Sequence, residues 1–150
     1  MTRILPVTVL FFLPLGLAAG DAAKDADKLQ GQWSITLLQE GDEKEPADMI
    51  KDLVVVVKDD KFTIHKKDKV VLELSFKLDQ DKKPKTVDFT ILAGEDKGKT
   101  DVGIYAIEGD TVKFCVNERI AKRPTEFAPK LDGQPLNLVT MQRKKVKEKE

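Results

Sequence analysis

From residue 29 onward, short apolar runs alternate with charged or glycine-containing breaks at fairly even spacing, and within most runs the apolar side chains recur at every second position. A period of two marks a strand with one buried face, and its repetition across short polar breaks predicts an antiparallel meander rather than βαβ units. Gln32–Gln39 puts Trp33, Ile35 and Leu37 on one face, and Gly41 to Pro46 ends it. Pro46–Lys51 reads as one helical turn, with proline tolerated at the first helical position. Leu53–Lys58 and Lys61–Lys66 flank the Asp59-Asp60 step, Phe62 and Ile64 sharing a side. Lys69–Leu78 is the clearest strand, with Val70, Leu72, Leu74, Phe76 and Leu78 inward and Glu73, Ser75 and Lys77 outward. Thr86–Leu92 aligns Val87, Phe89 and Ile91. Asp101–Ile107 follows the Gly94 to Gly98 turn, and Thr111–Asn117 aligns Val112, Phe114 and Val116. A longer polar excursion through Arg123 to Phe127 precedes the last strand, Pro135–Arg143. The expectation is therefore an all-β fold, an eight-stranded antiparallel up-and-down barrel with no raw edges.

The first twenty residues break this pattern. Arg3 precedes an uncharged, largely apolar run from Ile4 to Leu17, and Ala18, Ala19 and Gly20 lead to the first acid, Asp21. The run is short and proline-broken for a membrane-spanning helix, and the small residues suit a signal-peptidase cut after Gly20. Residues 1–20 are read as a cleaved signal peptide, the alternative being a retained anchor. Export to the periplasm or the exterior of a bacterium is expected, with no stable membrane anchor after cleavage. Residues 21–28 are read as a flexible lead-in, 29–143 as the barrel and 144–150 as a charged tail.

Charge narrows the partners. The whole chain has 26 basic and 26 acidic side chains, and cleavage removes only Arg3, which leaves one acid in excess. Nucleic-acid binding needs a clustered positive surplus, so it is not expected. The basic tail from Arg143 to Lys149 is interrupted by Glu148 and reads as a solvated terminus, with a docking patch as the alternative. Cys115 is the single cysteine, so no intramolecular disulfide can form. A monomer is expected.

Leu29-Gln-Gly-Gln-Trp33 contains the Gly-x-Trp step that opens the first strand of lipocalin-like barrels, and Arg143 stands near the end of the last strand. Further along stand Phe76-Lys-Leu-Asp79, Lys82-Lys-Pro-Lys85 leading into Val87-Asp88, Asp96-Lys-Gly-Lys-Thr100, Gly103-Ile-Tyr105, Gly109-Asp-Thr111 and Arg123-Pro-Thr-Glu-Phe127. Across nearly the full domain these segments resemble a lipocalin-like family abundant in planctomycete bacteria, which implies the barrel but carries no established activity. The resemblance also implies that Gly31, Trp33 and Arg143 close one end, the guanidinium packing on the indole as a cation against a π face.

Catalytic chemistry is thinly supplied. Beyond the leader there are one histidine (His65), one cysteine (Cys115) and two serines (Ser34, Ser75), too few to suggest a nucleophile, base and orienter. By alternation His65 points outward, which favours a solvated imidazole over a base. Cys115 falls on the outer face or near a rim, and is read as an inert thiol rather than a reactive one. One histidine and one cysteine do not make a zinc or iron site. Asp79-Gln-Asp81 lacks the glycine and distal glutamate of a calcium loop and is read as a turn. Gly94-Glu-Asp-Lys-Gly98-Lys-Thr100 has the wrong glycine spacing and joins two strands, so it is not a phosphate loop. No catalytic residue, metal or cofactor is expected, and the chain is not read as an enzyme.

Two function classes remain. The first is a binding module that holds a small, partly apolar ligand against Phe62, Phe76, Phe89, Tyr105 and Phe114. The second is a structural or interaction module of the cell envelope, whose barrel is filled by those same side chains. The Arg123, Glu126 and Phe127 loop is read as a rim element that buries Phe127 over one barrel end, or as a ligand contact. A connected apolar pocket above about 300 Å³ would favour the first class.

Overall fold

The computed structural model describes residues 24–118 and 122–145; residues 1–20, expected to be a signal peptide, and the last five residues of the tail lie outside these. A closed antiparallel barrel is built from eight strands: β1 (Gly31–Glu40), β3 (Leu53–Lys58), β4 (Lys61–Lys66), β5 (Lys69–Asp79), β6 (Thr86–Ile91), β7 (Thr100–Glu108), β8 (Thr111–Asn117) and β11 (Asn137–Arg143). Each pairs with its neighbour in sequence, and β11 pairs with both β8 and β1, which closes the cylinder. A two-residue strand β2 (Glu43–Lys44) folds back on the end of β1, and a small separate hairpin joins β9 (Lys130–Leu131) to β10 (Gln134–Pro135). The expected helical turn is α2 (Ala47–Ile50), which buries Ile50.

Where regular alternation fails, an inserted residue is the cause. Ile35 faces Met141 but Leu37 faces Thr140, so Thr36 is an extra residue in β1. A bulge of this kind reverses the phase beyond it, and Leu38 rather than the expected Leu37 packs against the core. Similarly, Ile64 faces Leu72 while His65 faces Val70, which leaves Val71 as the inserted residue of β5. Val70, expected inward, is therefore half exposed. The inward faces of β6 and β8 run as the alternation predicts, with Val87, Phe89, Val112, Phe114 and Val116 in the core, and in β3 Val55 and Val57 are the inward pair.

Residues 25–28 are not a loose lead-in. A short helix, α1 (Asp25–Leu29), sits at the end of the barrel where β3 turns to β4, β5 to β6 and β7 to β8. Leu29 joins the core, and Asp25 is buried. Its Oδ2 accepts from Tyr105 Oη at 2.7 Å and Lys85 Nζ at 2.8 Å, while its backbone N–H donates to Gln80 Oε1 at 2.9 Å. A helix that carries a buried, ion-paired aspartate and a core leucine is pinned to the barrel.

The segment from 122 to 136 takes another unexpected course. It lies along the outer wall of β6, β7 and β8, where Leu136 covers Ile104 and Cys115 as a second small core. Arg123 holds it there, donating to the carbonyls of Val87 and Gly103 at 3.0 and 2.8 Å and to Asp88 Oδ1 at 2.6 Å. Pro124, not Phe127, is the buried residue of the loop; Phe127 is 43% exposed.

Candidate functional site: a half-filled barrel

The two ends of the cylinder differ in chemistry. At the closed end Arg143 lies over the Trp33 ring, 4.3 Å from its centroid. Its Nη1 donates to the carbonyl of Gln30 at 2.8 Å, its Nη2 to that of Lys28, and its Nε to Asp110 Oδ1 at 3.3 Å. Trp33 is fully buried and donates from Nε1 to the Leu29 carbonyl at 2.8 Å. Gly31 is required here: its φ is +117°, and a Cβ would stand 3.2 Å from Arg143 Nη1. These three residues therefore tie both chain ends of the barrel and α1 into one knot.

Above this floor the interior is full. Phe62, Phe89 and Phe114 meet edge to face with centroids 5.4 to 6.0 Å apart, the favourable geometry for aromatic quadrupoles. Tyr105 tilts against Phe114 on the closed side, its hydroxyl committed to Asp25. Burial, and then the Asp25 carboxylate beside it, hold the Tyr105 hydroxyl well above the usual phenol range. Burial alone would raise Asp25; hydrogen bonds from Lys85 and Tyr105, with the charges of Lys85 and Lys28, outweigh it and hold the carboxyl below its ordinary value.

Beyond the three phenylalanines the barrel opens into a cavity of about 570 Å³. The aromatics form its floor. Leu38, Leu53, Ile64, Leu72, Ile91 and Val139, each partly buried, supply most of its wall. The mouth is formed where β6 turns to β7 and where β8 ends, and it carries Asp96, Lys99, Asp101 and Glu118. Among the described residues Asp101 is the only charged strand residue in the lining. Burial, then the negative charges of Glu118 and Asp96, push its carboxyl up to about 6.

Of the five interior candidates, Phe62, Phe89 and Phe114 line the cavity, while Phe76 and Tyr105 do not. Tyr105 belongs to the packed floor, and Phe76 faces a separate hollow outside the closed end. That hollow, about 680 Å³ and open to solvent, runs between α1 and the turns after β3 and β5 and is edged by Asp27, Asp59, Asp60, Asp79 and Asp81. The loop residues Arg123, Glu126 and Phe127 line neither space, because the segment runs down the outer wall rather than over the mouth. Ile64, Leu72 and Ile91 of the wall face inward as the alternation predicts, although only aromatics are named as ligand contacts; for Asp101 the inward parity with Gly103 and Tyr105 is the available signal.

Cys115 is buried beneath the strap, its Sγ 3.5 Å from the Ala128 carbonyl. Burial raises its pKa, which disfavours the thiolate. Among the described residues no group of three or more His, Cys, Asp or Glu side chains is placed to hold a metal ion. No family model, curated protein or solved structure matches the chain.

Proposed function

We propose that the protein is an exported carrier or sensor that holds one small, partly apolar molecule in the open half of its barrel. The observation that carries this reading is the cavity itself. Its volume falls within the roughly 300–1,000 Å³ typical of small-molecule sites, and an aliphatic wall over an aromatic floor offers burial worth about 25 cal/mol per Å² of apolar ligand surface. The resemblance to lipocalin-like domains points the same way, and the leader-like residues 1–20 support export. The alternative, an interaction module with a filled barrel, draws its support from the packed closed half.

Titration of the folded protein with a neutral environment-sensitive dye tests the proposal. Saturable binding near one per chain is expected, with a rise in melting temperature by mass action. Phe114→Asp, at the cavity floor, should weaken it more than Lys113→Ala on the outer face. Absence of saturable binding, or equal effects of the two substitutions, would hand the case to the interaction module. Export is tested separately, by whether the protein recovered from its host starts at or near Asp21.

A further inference from the structure

The wall of the cavity selects for apolar bulk, and its mouth selects for charge. Asp101 points inward from β7, directly across from Phe89 of β6. On its other side, extension of the β7–β8 register past the Val102–Asn117 pair brings Glu118 opposite it. Like charges facing one another across a ladder are unfavourable. Lys99, the mouth cation among the described residues, is engaged by Asp96 at 2.6 Å. Among the described residues, none donates a hydrogen bond or forms an ion pair to the Asp101 carboxylate. β6 contributes only Phe89 and Ile91 to this part of the lining, and β11 only the uncharged Asn137 and Val139. Among the described residues, an acid with no ion-pair partner is thus held against an apolar wall, close to Glu118 and to the Asp96–Lys99 pair.

Resting on the binding reading above, we propose that the cavity takes a cationic amphiphile: an apolar body buried over the phenylalanine floor, and a protonated amine at the mouth with Asp101 as its counter-ion. The ammonium supplies the opposite charge and the donors that the carboxylate lacks, and in a partly desolvated site such a charge-assisted hydrogen bond is stronger than a neutral one. The same arrangement disfavours fatty-acid-like anions, whose carboxylate would add a further like charge. Protonation of Asp101 competes with the amine, so the preference depends on pH. Among the described residues, the groups facing Asp101 that shape this dependence are Asp96 and Lys99 in the preceding turn and Glu118 at the end of β8.

Calorimetric titration of the full folded domain with decylamine, decanol and decanoate, each below its micellar range, provides the test. Near pH 8 decylamine should bind about tenfold or more tighter than decanol, with decanoate weakest. Near pH 5 the amine, still protonated, should lose most of that advantage as Asp101 takes up its proton. Asp101→Asn should bring amine and alcohol to within about threefold of each other at both pH values. Equal affinity of amine and alcohol near pH 8, preference for decanoate, or an amine preference that survives Asp101→Asn would overturn the assignment while leaving apolar binding intact. Failure of all three probes together with the neutral dye would instead overturn the binding reading on which it rests. The wild-type pH dependence decides the matter even if the substituted protein does not fold.

Discussion

Asp25 and Asp101 stand at opposite ends of the barrel and are pushed in opposite directions by their surroundings. Asp25 is held below its ordinary value, so its contribution to stability is present above the unfolded pKa of about 3.9 and is lost as pH falls through the lower folded value. Asp25→Asn should therefore lower the melting temperature at neutral pH, and the gap from wild type should close in strong acid. Asp101, raised to about 6, behaves inversely. Between roughly pH 4 and 6 the folded state binds a proton that the unfolded chain has released, so stability falls as pH rises through that window. Asp101→Asn should raise the melting temperature near pH 8 and leave it nearly unchanged near pH 4; equal effects at both would show that the carboxyl is not perturbed. A second residue-scale pair lies at the closed end. Trp33→Ala should cost about 3–5 kcal/mol, the range for deleting a buried large aromatic. Arg143→Ala should cost about 1–2 kcal/mol through the lost cation–π contact and stem packing. Chemical denaturation measures both, and an Arg143 loss as large as that of Trp33 would mean that its carbonyl contacts outweigh the stacking.

At the scale of elements, the strap from 122 to 136 offers a reporter in Cys115. Arg123 is its main polar tie to the wall, and Cys115 is sealed beneath it. Arg123→Ala should speed modification of the thiol by a soluble disulfide reagent by about tenfold or more, since local opening rather than global unfolding would then limit access. An unchanged rate would show that Leu136 and Pro124 hold the segment without the arginine. This element also marks where the sequence was least legible. Strand order and most inward faces could be read from a period of two, because most strands bury one face only; β7 and β8 also bury Ile104 and Cys115 on the outer face. Thr36 and Val71 defeated that reading: a bulge is one extra residue with no compositional signature, and it displaced Leu37 and Val70 from their expected places. In the strap, Phe127 attracted attention by its size, yet Pro124 and Leu136 are the residues buried. The helix at 25–29 was missed because five residues hold too little periodicity, and because its decisive contacts, to Lys85 and Tyr105, are distant in sequence.

For the whole molecule, the question whether the barrel is filled or open has a divided answer. Trp33, Tyr105 and the Phe62, Phe89 and Phe114 cluster pack the closed half, whereas medium-sized aliphatics leave about 570 Å³ in the other half. The aromatic floor was legible from the alternation; the empty space above it was not, because volume depends on how all eight strands tilt and where their bulges fall. Such space costs stability, since its lining lacks contact partners on one side. Val139 projects into it from β11, between Phe114 of β8 and Leu38 of β1 by register. Val139→Phe should fill part of the cavity, and cavity filling commonly adds about 0.5–2 kcal/mol. The protein should then melt higher without ligand, bind the neutral dye and decylamine more weakly, and show a smaller ligand-induced rise in melting temperature. A barrel already packed at this level responds the other way, because an enlarged side chain in a full core typically costs about 1–3 kcal/mol. Thermal melts of wild type and Val139→Phe, with and without decylamine, separate the two: stabilisation with loss of binding is expected, and destabilisation with no ligand effect in either protein would mean that the open half is closed in solution.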